Sequence, residues 1–422
     1  MSAQRIAAPR GTQDILPGSV ESWQRLEATT RALLRRHGFR EIRTPMFEHT
    51  DLFQRGVGED TDVVAKEMYT FTDRGGRSVT LRPEGTAGVV RAYLEHGMQA
   101  GPQPVKLAYV SAPMFRYDRP EAGRYRQFHQ MGVEILGAAA PMADAEAIAV
   151  ARALLADSGL PDTRVHLNSV GDGACRPAYR DSLRAYYAPH LDELCAACRV
   201  RYERNPLRLL DCKEPDCTVL AASAPSPLDA LCPPCREHLD GVRALLAVEG
   251  VPYEIDPGIV RGLDYYTRTV FEVVHPTLGA LCGGGRYDGL VEELGGPATP
   301  AVGFALGVER LLLALAETAV VPAPPARPDV FLIAASDALR TDAARLVADW
   351  RAAGVAAETD LLGRSFRAQM RHADRLGAPF VAVLGADEAL RGAVALRDMA
   401  AGNQEEVATD RVVAWLRERS QR

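Results

Sequence analysis

The first regular pattern of apolar positions along the chain predicts an amphipathic helix. Apolar or small side chains recur three or four positions apart, which is the spacing of one helix face. They are Trp23, Leu26, Thr30, Leu33 and Leu34. Gly38 predicts the end of this helix, because glycine commonly terminates helices. After it, GFREIRTPMFE predicts a strand, and VTLRPEGTAGVVRAYLEHG predicts a strand, a turn and a helix.

Residues 113–135, PMFRYDRPEAGRYRQFHQMGVEI, predict two strands joined by a bend at Pro120 and Gly123. Side chains alternate between the two faces of a strand. One face of the second strand would therefore be apolar, with Met131, Val133 and Ile135. The opposite face would carry Phe128, Gln130 and Glu134.

The bend of this hairpin is unusually basic. Guanidinium is a planar, permanently charged donor suited to phosphate, and the bend carries Arg116, Arg119, Arg124 and Arg126. Taken alone, a solvated hairpin with scattered ion pairs is the simpler interpretation.

Changes in residue pattern divide the chain into five predicted segments. Six of the eight cysteines lie between Cys195 and Cys235, which predicts an inserted module. The stretch VVPAPPARP predicts a linker. The last segment alternates strand and helix patterns, which predicts an α/β domain. The segments are 1–171, the inserted 172–250, the resumed pattern of 251–318, the linker 319–328, and 329–422.

Composition narrows the choice of function. The chain has 422 residues, 47% hydrophobic and 25% charged, as in ordinary folded proteins. Its net charge of −6 argues against binding nucleic acid through bulk charge alone. No apolar run approaches the ~18 residues of a membrane span, and no secretory signal is visible, so a cytoplasmic location is expected. Only Lys66, Lys106 and Lys213 are lysines, so arginine supplies nearly all the basic residues of this chain. A cluster of arginines is therefore weaker evidence for a phosphate site here than in a chain of ordinary composition.

Several strings occur in one order along the chain: RGTQDILP, TLRPEGT, the basic hairpin, VRGLDYYTRTVFE, GGGRYDGL and AVGFALGVERLLL. The hairpin resembles motif 2 of class II aminoacyl-tRNA synthetases, and the last string resembles motif 3. Together they resemble the histidyl-tRNA synthetase family.

The resemblance implies an α+β fold with a catalytic domain built on a mainly antiparallel sheet flanked by helices. Segment 1–171 would be its first part, with motifs 1 and 2, and 251–318 its second part. The Cys-rich 172–250 would be an inserted domain, and 329–422 a C-terminal α/β anticodon-binding domain.

The resemblance also implies the reaction. Histidine and ATP would give histidyl-adenylate and pyrophosphate, and the histidyl group would then pass to tRNA-His. Mg²⁺ would accompany the triphosphate. The family implies a homodimer, with the motif 1 region around Ile42 to Phe47 at the interface. No membrane partner is expected, because no apolar run is long enough.

Residue roles follow from the family's motifs. Arg116 and Arg261 match arginines on the α-phosphate and are the predicted catalytic residues. The rest of the ATP site would be Arg124, Phe128 and Arg310. The histidine site would contain Glu84, Thr86, Gln130, Glu134, Arg261, Tyr265 and Tyr266, with Glu134 and Tyr266 on the imidazole. Two simpler interpretations stand beside these: Glu84 could cap the helix after it, and the tyrosines could be core residues.

The cysteines predict a structural zinc site from their spacing alone. CAAC and CPPC each place two thiols as CxxC, a recurring ligand pattern. Six cysteines compete for four positions, and the first choice is Cys195, Cys198, Cys232 and Cys235. Reduced thiols without metal are the alternative, since cytosolic disulfides are rare.

Contacts with tRNA are predicted at two places. Arg119 of the hairpin is a candidate phosphate contact. In the last domain, Arg364, Arg367, Arg371 and Arg375 would form one stripe of a helix, beside an apolar stripe of Phe366, Met370 and Ala373. A plain solvated face is the alternative.

Two other functions compete. The regulatory subunit of ATP phosphoribosyltransferase resembles this catalytic domain but typically lacks the anticodon domain and parts of the site, all of which are present here. A synthetase for proline or threonine is disfavoured by LDYY and by Glu134.

Overall fold

The computed structural model describes residues 6–58, 61–121, 123–259, 263–318 and 326–420. The chain divides into two compact units, Met1–Ala323 and Pro324–Arg422. Within the described ranges, no helix is both long enough and apolar enough to cross a membrane.

The first unit combines strands and helices. Its strands are β1 (Arg40–Glu41), β2 (Phe47–His49), β3 (Tyr69–Thr72), β4 (Ser78–Leu81), β5 (Val105–Phe115), β6 (Gln127–Leu136), β7 (Arg164–Ser169), β8 (Tyr253–Ile255), β9 (Thr267–His275), β10 (Gly279–Arg286) and β11 (Ala301–Gly307). Its α-helices are α1 (Val20–Arg36), α2 (Thr50–Val57), α3 (Thr86–Glu95), α4 (Pro141–Ser158), α5 (Arg176–Tyr187), α6 (Ala196–Arg204), α7 (Pro215–Ala222), α8 (Pro233–Val248), α9 (Leu290–Glu293) and α10 (Val308–Glu317).

An eight-stranded sheet organises this unit, in the order β1-β5-β6-β11-β10-β9-β7-β8. Its two outer pairs, β1 with β5 and β7 with β8, are parallel, and the inner pairs are antiparallel. A smaller antiparallel sheet has the order β2-β4-β3. The predicted α+β fold with a mainly antiparallel sheet is therefore confirmed.

Helices cover both faces of the large sheet. One apolar core contains buried residues of α1, α4, α8 and α10, and the second core contains residues of α3 and α9. Met131, Val133 and Ile135 lie in the first core, whereas Phe128 packs against the second. The alternation predicted for β6 is thus confirmed.

The predicted first helix is confirmed as α1, and the five residues at helical spacing are its buried residues. The strand predicted over residues 38–48 is wrong in extent, since only β1 and β2 form there. Pro45 has no N–H to donate to a sheet. Moreover, the Arg82 guanidinium donates to the backbone carbonyl of Thr44 at 2.9 Å, so this acceptor bonds to a side chain and not to a neighbouring strand.

The segment between β7 and β8 consists of α5 to α8 with short 3₁₀ turns at Ala188–Glu193, Pro206–Leu209 and Pro227–Ala230. It has an apolar core of its own, which includes Tyr179, Leu183 and Leu209. The last helix, α8, packs on the core of the large sheet instead.

The second unit is a five-stranded sheet with helices. Its elements are β12 (Val330–Ala334), α11 (Arg340–Ala352), β13 (Ala357–Thr359), α12 (Phe366–Arg375), β14 (Phe380–Leu384), α13 (Ala386–Leu390), β15 (Ala393–Asp398), β16 (Gln404–Ala408) and α14 (Val412–Ser420). The order is β13-β12-β14-β15-β16, with the first three strands parallel. This matches the predicted alternation of strand and helix.

Candidate active site

The basic hairpin is formed by β5 and β6, and backbone contacts hold Arg116 in place. Arg116 follows β5 directly; its backbone N–H donates to the Arg126 carbonyl at 2.8 Å. Its side-chain Nε donates to the Pro83 carbonyl at 2.8 Å. The guanidinium of Arg116 is therefore held beside the turn that precedes α3, rather than free in solvent.

Four residues predicted to bind ATP line one cavity of about 570 Å³: Arg116, Arg124, Phe128 and Arg310. The Arg116 guanidinium carbon lies 5.7 Å from the centre of the Phe128 ring. Arg310, in the first turn of α10, is exposed and donates to the Leu278 carbonyl at 3.3 Å. The structure thus brings three cations and an aromatic face to one open space.

The hairpin bend closes tightly over α10 at Gly123. Its φ of +74° is a conformation that favours glycine. A Cβ there would also lie 3.0 Å from a methyl group of Leu313. Glycine therefore lets the bend approach the helix that carries Arg310.

The arginines of the cavity differ in burial and in their acidic neighbours. Burial lowers the pKa of Arg116, an effect that the carboxylates of Glu67 and Glu84 oppose. Arg124 is exposed and pairs with Asp118 at 3.1 Å and Glu121 at 3.7 Å, both in its own bend. A polyanion entering the cavity would compete with these two acids for Arg124.

The predicted histidine site centres on Glu134, which is 1% exposed. The Thr86 hydroxyl donates to one carboxylate oxygen at 2.8 Å, and the Tyr287 hydroxyl donates to the other. Burial raises the pKa of Glu134 to about 8, although both hydroxyl donors act in the opposite direction. A carboxyl group with this pKa can accept or donate a hydrogen bond near neutral pH.

Gly303 of β11 makes room for this carboxyl group. It pairs with Glu134 across the sheet, and a Cβ at this position would lie 2.0 Å from a Glu134 carboxylate oxygen. Any larger residue at 303 would displace Glu134 from its hydroxyl partners.

Glu84 caps helix α3, as the simpler interpretation proposed. Its two carboxylate oxygens accept from the backbone N–H groups of Thr86 at 2.7 Å and Ala87 at 2.9 Å. Burial raises the pKa of Glu84, while these backbone donors lower it. Since each oxygen has a further lone pair, capping leaves acceptor capacity for an ammonium group.

The remaining residues of this pocket are aromatic or amide. Tyr265 and Tyr266 are buried, with ring centres 4.7 Å apart, and Tyr265 also packs edge-on against Tyr287 at 5.5 Å. The Oε1 atom of Gln130 is buried and makes no hydrogen bond within the part of the chain that the structure describes. Gln130 lies on the same face of β6 as Glu134, so this acceptor is available to a ligand on that face.

Some predicted residues lie elsewhere. Arg261 falls outside the described residues. Arg119 is exposed and lines a neighbouring cleft with Arg10 and Lys66.

The predicted arginine stripe of the second unit is wrong at Arg364, which precedes α12 and pairs with Asp360 at 2.7 Å. Its backbone N–H also donates to Asp360, which fixes this turn. Arg367 and Arg371 are exposed on α12, as expected. Met370 and Ala373 pack on the sheet, but Phe366 is 41% exposed, because it begins the helix beyond the edge of that core.

The predicted grouping of zinc ligands is wrong as well. Cys195 and Cys198 lie with Cys212 and Cys217, whereas Cys232 and Cys235 lie with Asp172 and Cys175. The two CxxC pairs belong to different helices, α6 and α8, that pack in different cores.

Tyr287 and Lys213 are among the residues at the site that had not been predicted. Tyr287 belongs to the string GGGRYDGL, and its place in that motif was the available signal. Lys213 lines the cavity together with Arg116 and Arg310, and it comes from the inserted segment. Nothing in the local pattern of the sequence indicates this approach.

The sheet, the basic hairpin, the arginine at the start of α10 and the buried carboxyl pocket form the arrangement that resemblance to the class II aminoacyl-tRNA synthetases implies. Comparison with known proteins identifies one family within this class. The family model described as histidyl-tRNA synthetase matches residues 11–311, and that described as anticodon binding domain matches residues 329–419.

Curated relatives match over nearly the whole chain. The histidine–tRNA ligase of Desulforamulus reducens is 55% identical over 98% of this chain and 99% of its own. That of Desulforudis audaxviator is 56% identical over 98% of each chain. The crystal structure of apo S. aureus histidyl-tRNA synthetase superposes with a TM-score of 0.82 at 40% identity, covering 98% of this chain and 100% of that one. The chain belongs to the histidyl-tRNA synthetase family.

Proposed function

We propose that this protein attaches histidine to tRNA-His in an ATP-dependent reaction, through a histidyl-adenylate. One observation carries the proposal: Arg116 lies between the open cavity and the buried pocket. It lines the cavity, and its side chain donates to Pro83, the residue before Glu84. A phosphate bound by Arg116 would be next to a ligand held in the pocket.

In the first step, a carboxylate oxygen of histidine attacks the α-phosphorus of ATP. A new P–O bond forms, the bond to the β-phosphate oxygen breaks, and pyrophosphate leaves. Negative charge grows on the phosphoryl oxygens, so fixed cations stabilise the transition state. Arg116 is the described cation best positioned for this role, and Arg261 is assigned the same role by its motif.

ATP would occupy the cavity, with its base against Phe128 and its triphosphate near Arg124 and Arg310. Bound Mg²⁺ would neutralise part of the triphosphate charge. Glu67 and Asp118 line the same cavity, and carboxylate oxygens are ligands that Mg²⁺ prefers. These residues fit the cation that the family implies.

Recognition of histidine would depend on Glu134. The imidazole N–H would donate to its carboxyl group, and the Tyr266 hydroxyl would serve the second ring nitrogen. Glu84, Thr86 and the side-chain oxygen of Gln130 would receive the ammonium group. An apolar amino acid would leave these buried polar atoms without partners, which strongly disfavours its binding.

In the second step, a ribose hydroxyl at the 3′ end of tRNA-His attacks the carbonyl carbon of the adenylate and AMP leaves. Exposed Arg119 is a candidate contact for the acceptor end, and exposed Arg367 and Arg371 for the anticodon arm. Phe366 is 41% exposed beside Arg367, which suits stacking on an unpaired base.

A homodimer formed through the motif 1 region is part of the proposal. Met46 is 54% exposed and Phe47 is 56% exposed. Two large apolar side chains adjacent at a surface favour burial by a second copy of the chain.

The test is pyrophosphate exchange into ATP with each amino acid in turn, comparing the natural chain with Arg261→Ala. Exchange supported by histidine alone, and largely lost in the variant, supports adenylation and its cation. Well-folded protein that catalyses no exchange with any amino acid would contradict the proposal and favour the regulatory alternative.

A further inference from the structure

Seven of the eight cysteines gather in two clusters. The tip cluster contains Cys195, Cys198, Cys212 and Cys217; the junction cluster contains Asp172, Cys175, Cys232 and Cys235. Within each cluster, one ligand atom from every residue lies within 4.8 Å of the others. All eight cysteines are free thiols.

The separations in the tip cluster suit one tetrahedral ion. Zinc–sulfur bonds of about 2.3 Å place two ligand sulfurs about 3.8 Å apart. The sulfurs of Cys195 and Cys212 are 3.9 Å apart, far beyond a disulfide bond of about 2.05 Å. Backbone N–H groups of Cys195 and Cys198 also point to cluster sulfurs, at 3.3 and 3.4 Å. Such donors stabilise thiolate ligands.

The junction cluster has the same form with one carboxylate. The Asp172 Oδ1 atom lies 3.6 Å from the Cys175 sulfur and 4.0 Å from the Cys232 sulfur. The Cys232 N–H donates to the Cys175 sulfur at 3.1 Å. The second carboxylate oxygen lies 3.5 Å from Arg268 of β9.

The clusters belong to different apolar cores. Cys198 and Cys217 are buried in the core of the inserted segment, whereas Cys175 and Cys235 are buried in the core under the large sheet. Each cluster is therefore complete within its own part of the fold, and neither needs a ligand from the other.

We propose that the protein binds two zinc ions, one through the four thiolates of the tip cluster and one through Asp172 and the three thiolates of the junction cluster. Soft thiolates select zinc over magnesium or calcium. Four protein ligands close each coordination shell, which is typical of structural rather than catalytic zinc.

The junction site would tie the start of the inserted segment to its end. Cys175 precedes α5 and Cys232 precedes α8, 57 positions later in the chain. Cross-linking two such distant positions removes conformational freedom from the unfolded chain. The site would therefore fix how the inserted segment leaves and rejoins the large sheet.

The tip site would stabilise a segment with short helices and no described strand between α5 and α8. Small modules commonly draw part of their stability from a bound metal. A zinc ion at the tip site would also fix Cys212, the neighbour of Lys213, which lines the proposed ATP cavity. This last consequence rests on the proposed function, whereas the metal content does not.

The test measures zinc per chain in full-length protein purified under reducing conditions without chelators. We expect two zinc ions in the natural chain, one in the double variant Cys195→Ser with Cys212→Ser, and one in Cys232→Ser with Cys235→Ser. Cys282→Ser, outside both clusters, is the matched control and should keep two. A natural chain with any other zinc content, or loss of both ions from either pair, overturns the proposal.

A second measurement covers variants that fail to fold. X-ray absorption at the zinc edge of the natural chain should give seven sulfurs and one oxygen for every two zinc ions. Asp172→Cys should keep both ions and raise the count to eight sulfurs. An unchanged sulfur count in this variant would remove Asp172 from the ligand set. Histidine-dependent exchange, measured in parallel, reports on the proposed function separately.

Discussion

The two halves of the candidate active site are built in opposite ways. The cavity lined by Arg116, Arg124 and Arg310 is open, and Arg124 and Arg310 are exposed cations with partners in nearby loops or backbone. The pocket around Glu134 is buried, and the Glu134 carboxyl group is bonded to the hydroxyl groups of Thr86 and Tyr287.

Because of this difference, we expect the open cavity to contribute affinity for ATP and the buried pocket to contribute selectivity for histidine. Exposed arginines can exchange a loop carboxylate for a phosphate at small cost, since exposed ion pairs contribute little. Buried polar groups favour a ligand that forms a hydrogen bond with each of them. A buried donor or acceptor left without a hydrogen bond costs roughly 1–3 kcal/mol. Variants in the two halves should therefore change different kinetic constants.

The largest effect is expected from Arg116→Ala, at the boundary between the halves. Removing one fixed donor from a developing oxyanion typically slows the chemical step by about 10²–10³-fold. The measurement is the rate of histidine-dependent pyrophosphate exchange at saturating ATP and histidine. Arg77→Ala, an exposed arginine paired with Asp73, is the control. A rate within a few-fold of the natural chain would remove Arg116 from the catalytic role.

Glu134→Gln should affect the histidine half alone. The imidazole loses one hydrogen bond to a mostly neutral carboxyl group, worth roughly 0.5–1.5 kcal/mol, so KM for histidine should rise about 3–10-fold. KM for ATP should change by less than about 2-fold. Tyr287→Phe, which removes only one hydroxyl donor to Glu134, should have a smaller effect in the same direction. Equal changes in both KM values would show that the halves are not separate.

The pH dependence of stability tests the buried half without substrate. The folded-state pKa of Glu134 is about 8, above the model-peptide value of 4.5. Between these values the folded chain holds a proton that the unfolded chain has released, so stability falls as pH rises. From pH 6 to pH 8, Glu134 should contribute a loss of about 2 kcal/mol in unfolding free energy.

Urea unfolding at the two pH values measures this loss. Glu134→Gln should reduce the difference between them by about 2 kcal/mol, whereas the exposed Glu254→Gln should not. The same difference in Glu134→Gln and the natural chain would mean that other groups carry the pH dependence.

The smallest effect is expected from Lys213→Ala in the open half. An exposed cation near a triphosphate is worth about 1 kcal/mol, so KM for ATP should rise roughly 5-fold while KM for histidine stays the same. Lys66→Ala is the control, because Lys66 lines a different cleft. The effect should shrink at high salt, since exposed charges are screened.

The sequence by itself determined those features that depend on neighbours in the chain. The buried face of α1, the alternating faces of β6 and the bend with Gly123 follow from periodicities of a few residues, and the structure confirms them. The ordered motifs also pointed to the family. They included the four residues that the structure brings together in the cavity.

Only the tertiary structure decided which distant segments meet. CxxC spacing brings two thiols together on one helix turn, but it does not determine which other residues complete the tetrahedron. In the structure Cys195 and Cys198 lie with Cys212 and Cys217, not with the second CxxC pair. Likewise, Asp360 holds Arg364 away from the stripe on α12.

The same reason explains the residues found only in the folded chain. Gly303 reaches Glu134 because β11 lies beside β6, and Tyr287 follows β10, the next strand in the sheet. Lys213 of the inserted segment lines the cavity. Contacts between positions this far apart in the chain depend on strand order and helix packing. Local pattern sets the elements, whereas packing of those elements sets which side chains share a site.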